Sequence, residues 1–123
     1  MATDYPKPDS LLVGPRGVAQ PFDMIMVKSL TLTPAAVATI TTTDQTFTLN
    51  GVVQAGAGQA FDDIVILAKY PAPTNAANPT GAVRVTAANT IAVMYSNPTA
   101  GSLTPPSGTY VFLIFRPSTN PGK

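Results

Sequence analysis

Residues Thr109–Arg116 form a run with two apolar faces: Tyr110, Phe112 and Ile114 alternate with Val111, Leu113 and Phe115, and Pro117 ends it. Successive side chains of a strand point to opposite sides, so both sides of this strand need cover. A two-layer sandwich covers only the side that meets its core. The continuous apolar run Ile64–Ala68 makes the same demand. The chain is therefore expected to be all-β, with a second apolar surface that its own core does not fill.

The rest of the sequence supplies the other strands. Val27–Thr33 and Val37–Thr43 are rich in Thr and β-branched residues and are divided by Pro34. Gln45–Asn50 alternates, with Phe47 and Leu49 on one side and Thr46 and Thr48 on the other, before the Asn50-Gly51 turn signal. Tyr70-Pro71-Ala72-Pro73 stops the run Ile64–Ala68, and Thr74–Gly81 reads as a polar loop. Ala82–Thr86 and the Ile91, Val93, Tyr95 alternation read as a hairpin around Ala87–Asn89, and Asn97–Gly108 as a loop of Pro, Gly, Ser and Thr. No stretch carries an apolar period of 3.6 residues with capping signals. These patterns predict a single β-sandwich or jelly-roll-like domain of seven or eight strands over residues 28–118, with a flexible tail at 119–123.

Residues 1–27 read differently. Pro6, Pro8, Pro15 and Pro21 fix φ and remove amide donors too often for a regular element. The intervening Leu11, Leu12, Val13, Phe22, Met24, Ile25 and Met26 are too apolar for a solvated linker. An extended, irregular arm that docks onto something is expected. Tyr5, Leu11, Leu12, Val13, Arg16, Phe22, Met24 and Met26 are the candidate docking residues, with Arg16 able to grip a partner carboxylate from the Gly14-Pro15-Arg16-Gly17 turn. The second face of Thr109–Arg116 and Ile64–Ala68 is covered either by this arm or by a neighbouring subunit. In the latter case Val65, Leu67, Val111, Leu113 and Phe115 are the expected subunit interface.

Chemistry is narrowed by what is missing. The chain has no His, Cys or Trp, and its six acidic residues are all Asp. The usual ligands of zinc, copper, haem and iron–sulfur centres are thus absent, as are thiol nucleophiles and His-based triads. No cofactor, metal or small-molecule substrate is expected, and no enzymatic activity. Charged residues make up 11% of the chain, under half the roughly 25% usual for soluble domains, so much of the surface is suited to cover by other chains. Seven basic residues spread from Lys7 to Lys123 form no phosphate-tracking stripe, so nucleic acid is not an expected partner. The start of the chain lacks a basic and apolar leader of the secretory kind, and Pro, Gly and Asn interrupt the charge-free interval between Arg84 and Arg116, so no membrane span is expected.

Three local patterns have plain explanations. Asp62-Asp63 is the only adjacent carboxylate pair, and on extended backbone the two would point apart, so a solvated approach to the next strand is expected. Gly56-Ala57-Gly58-Gln59 lacks the Lys-Ser/Thr pair and the following helix of a phosphate loop. Thr39, Thr41, Thr42, Thr43, Thr46 and Thr48 keep no fixed spacing of the kind an ice- or sugar-binding face needs, and read as exposed strand positions.

Val83-Arg84-Val85-Thr86-Ala87-Ala88-Asn89-Thr90-Ile91-Ala92-Val93, then Asn97-Pro98-Thr99, Leu103–Tyr110 and Arg116-Pro117, resemble the small β-sandwich structural proteins of tailed-bacteriophage virions, over roughly residues 45–117. Among these the pattern is most similar to head decoration, or cement, proteins. The resemblance implies a homotrimer made in the host cytoplasm and carried on the capsid exterior, with the major capsid protein as its partner. The alternative from another class is a tail or head fibre module that binds a host receptor or surface glycan. That activity usually needs an exposed aromatic platform, for which Tyr5, Phe61 and Tyr70 are the loop candidates.

Overall fold

The computed structural model describes residues 22–56, 59 and 61–118. Their regular structure is six strands: β1 (Phe22–Leu32), β2 (Thr41–Thr48), β3 (Ile64–Lys69), β4 (Asn78–Ala87), β5 (Thr90–Asn97) and β6 (Gly108–Pro117). They form two three-stranded antiparallel sheets, ordered β1-β6-β3 and β2-β5-β4. The chain is all-β, as its alternation and turn signals predict, and the two sheets enclose one core in the manner of a sandwich.

That core takes alternate residues from each sheet. Tyr110, Phe112 and Ile114 of β6 are completely buried, as are Ile91, Val93 and Tyr95 of β5. Each fully buried side chain of this size contributes about 1.5–3 kcal/mol by leaving water. Val65 and Val85 fill in from β3 and β4, and Leu49 and Val52 from the connection after β2. The hydrophobic run of β6 thus puts its larger aromatic set inward.

Turns fit the residues that make them. The Asn50-Gly51 step turns at positive φ (99° at Gly51), and the Asn89 carboxamide Oδ1 accepts the Gly51 amide at 2.8 Å. Gly108 opens β6 at φ 142°, where a Cβ would stand 2.9 Å from the Pro71 ring, so only glycine fits that approach.

Several boundaries differ from expectation. Six strands replace seven or eight, because Val37–Thr43 and Gln45–Asn50 do not form two strands: β2 runs unbroken through Asp44, and Val37 makes only an isolated bridge to Leu103. Ile40 separates Val37 from β2 with a left-handed φ of 47°. β4 starts at Asn78, inside the expected polar loop, and is irregular between Pro79 and Val83, where Gly81 has φ 95°. β1 starts at Phe22, five residues before the expected strand Val27–Thr33, because pairing with β6 extends to Phe22↔Pro117. Residues 1–21 of the expected arm, and the tail 119–123, lie outside the described residues.

Candidate functional site

The two sheets differ in what they turn away from the core. On β2-β5-β4 the outward residues are Thr42, Asp44, Thr46 and Thr48, beside Ala92, Met94 and Arg84. Asp44 and Arg84 meet across this surface at 2.6 Å. Thr41 and Thr43, by contrast, stand opposite Asn97 and Tyr95 on the inner side, so the threonine run divides between the two faces.

On β1-β6-β3 the outward surface is apolar. Antiparallel partners share a face, and the register sets Ile25 and Ile64 on either side of Phe115, and Val27 and Ile66 on either side of Leu113. Val27 is 64% exposed, Ile64 46% and Ile66 45%. Ser29 and Lys69 flank Val111 at the far end. Among the described residues, an apolar strip three strands wide therefore lies open across this sheet, with no charged side chain between its ends.

The expected interface residues divide between the two sides of this sheet. Val111, Leu113 and Phe115 lie on the open face, half-buried by their neighbours. Val65 and Leu67 do not: they pair with Ile114 and Phe112 and face the core, Val65 being buried and Leu67 packed against it. Ile64 and Ile66 take their place on the open face. Phe22, Met24 and Met26, expected in a docking arm, belong to β1, where Met24 and Met26 pack on the core and Phe22 lies 5.3 Å from Phe115, ring centre to ring centre. Tyr5, Leu11, Leu12, Val13 and Arg16 lie outside the described residues.

Asp63 departs furthest from expectation. Instead of a solvated carboxylate it is buried, and Arg116 grips it with two bonds, Nε to Oδ1 at 3.1 Å and Nη2 to Oδ2 at 3.0 Å. The Val53 amide and the Gln59 carboxamide also donate to it, at 2.8 and 2.9 Å. Burial alone would raise its pKa, but the bonds from Arg116, Val53 and Gln59 and the Arg116 charge outweigh it and hold the carboxyl below its usual range. Asp62 turns away and accepts the Ala55 amide at 2.7 Å, so the two carboxylates do point to different partners. Asp63 thus pins the 51–63 connection to β6, and Asp62 ties the connection to itself.

Other polar clusters are equally structural. Asn97 is fully buried and uses its whole carboxamide: it donates to Val37 and Gly101 and accepts from the Thr99 amide and hydroxyl. A shallow recess bounded by Val52, Gln54, Ala88 and Asn89 is lined by no ionisable group. Among the described residues no three acidic side chains come together as a metal site would require. Of the loop aromatics, Phe61 and Tyr70 are both exposed, and Tyr70 also stacks on Tyr110 with ring centres 6.4 Å apart. Compared with known protein families, curated proteins and solved structures, the chain matches none.

Proposed function

We propose that this chain is a structural subunit of a tailed-phage virion: a decoration protein that binds the outer surface of the head, by way of the major capsid protein, and stabilises it. The proposal includes assembly as a homotrimer, synthesis in the host cytoplasm and no catalytic role. The observation that carries it is how little charge the chain has, 11% of its residues, which suits its surface to cover by other chains. The polar clusters that could have formed a reaction centre, around Asp63 and Asn97, are spent on holding loops. Capsid contact is assigned to the leader before β1, with Tyr5 as an aromatic anchor and Arg16 as a carboxylate ligand.

The test is cosedimentation of purified protein with heads that lack it. The full chain should bind. A chain without residues 1–9, which removes Tyr5 but leaves Leu11, Leu12 and Val13, should bind more weakly, and Arg16→Ala should lose more affinity at low salt than at high salt. Unchanged binding by both variants would remove the leader from the capsid contact. No binding by the full chain would overturn the decoration role.

A further inference from the structure

We infer that the apolar strip on β1-β6-β3 is covered by the chain's own leader, with Leu11, Leu12 and Val13 seated across Val27, Leu113 and Ile66. This goes beyond the decoration role and does not depend on it. The first indication is where the described chain begins. Phe22 is on the open side, its ring against Phe115, so residues 1–21 join the sandwich at the rim of the strip itself. The second is reach. Val13 stands nine residues before Phe22, enough for up to roughly 30 Å of extended chain. The sheet measures only about 10 Å from one edge strand to the other. The third is chemistry: from Ser10 to Pro21 the only charge is Arg16, and the strip between Asp23 and Lys69 has none.

A second copy is the less suitable cover. Laid on this strip it would meet three short strands, a footprint of about 15 by 20 Å, or roughly 300 Å². A stable interface takes about 800 Å² from each partner. A tethered segment needs far less, because the covalent link spares it most of the translational and rotational cost of association. Pro15 and Pro21 suit this role, since a segment that cannot extend the sheet can still lie across it. The proposed trimer then closes through other surfaces, and residues 1–9 together with the Arg16 side chain are left free to reach the capsid.

The absence of cysteine makes the test direct. A Ser10→Cys chain carries one thiol, to which a benzophenone photocrosslinker is attached, and the full-length protein is irradiated at low concentration. Equal parts of isotopically light and heavy chains are mixed beforehand, so peptide mass spectrometry separates adducts within a chain from those between chains. The expected result is adducts within one chain, on β1, β6 and β3 at residues such as Val27, Leu113 or Ile66. Adding Leu12→Asp should reduce their yield roughly tenfold or more, through the lost burial of one leucine. Adducts on the threonine-rich face of β2-β5-β4, mixed light–heavy adducts, or no protein adduct at all would each overturn the inference. None of these outcomes bears on head binding, so the two proposals fail separately.

Discussion

Arg116 and Asp63, separated by 53 residues in sequence, meet as a two-bond ion pair at 3.0 and 3.1 Å, and the same Arg116 Nη2 donates to the Gly51 carbonyl at 2.7 Å. One guanidinium thus ties the end of β6 to both ends of the 51–63 connection. The Asp63 side chain is shut from water while a quarter of the Arg116 side chain remains exposed.

Removing the carboxylate should therefore be costly. Asp63→Asn leaves Arg116 without its counter-charge and should destabilise the fold by about 2–3 kcal/mol, less than the roughly 3–5 kcal/mol of a fully buried pair because Arg116 stays partly hydrated. The pH dependence follows from the depressed pKa. Above the ordinary aspartate value of 3.8 the pair contributes fully. Below it the unfolded chain takes up a proton that the folded chain still excludes, so stability falls with pH until the folded carboxyl also titrates. Urea unfolding midpoints measured from neutral into acid solution should show this loss in the wild type and less of it in Asp63→Asn. Parallel acid curves would contradict the assignment.

Ile40 offers the opposite sign. A β-branched residue at φ 47° is strained, and this side chain is 76% exposed, so it gains little by packing. Asn tolerates the left-handed conformation. Ile40→Asn should stabilise by about 0.5–1 kcal/mol and raise Tm by roughly 2–5 °C in thermal unfolding. A lower Tm would mean that the Ile40 side chain has a role the folded subunit does not show.

Two buried tyrosines should respond unequally to loss of the hydroxyl. Tyr110 donates to the Pro106 carbonyl at 2.6 Å, whereas the Tyr95 hydroxyl is buried without a partner in hydrogen-bonding geometry. Burial, with the Tyr110 hydroxyl close by, pushes the Tyr95 pKa far above the usual phenol range. Tyr110→Phe should cost about 1–2 kcal/mol, and Tyr95→Phe should be neutral or slightly stabilising. Chemical denaturation of the two variants side by side checks the contrast.

How much of this was legible in the sequence depends on how local the cause is. The two apolar sides of Thr109–Arg116 could be read directly, and Tyr110, Phe112 and Ile114 do fill the core. Which side of Ile64–Ala68 faces inward could not. Alternation groups Val65 and Leu67 with Asp63, and Ile64 and Ile66 with Asp62, so two adjacent carboxylates read alike as solvated leave the inward side undecided. The Arg116 pair decides it, and it is a contact between residues far apart in the chain. β1 was underestimated for a similar reason: Phe22 and Met24 gain their strand from pairing with Pro117 and Arg116, while the nearby prolines argue locally for an arm. The open strip was half-visible, as an excess of apolar faces, but the residues that compose it emerged only from the register.

The proposed decoration role is tested most directly by the copy number of this chain in purified virions, measured by quantitative mass spectrometry against the major capsid protein. A cement protein must repeat with the capsid lattice, so the role proposed here requires hundreds of copies per particle, in fixed proportion to the capsid protein. A few dozen copies or fewer, or none, would contradict it and place the chain in a tail, in a fibre or outside the virion.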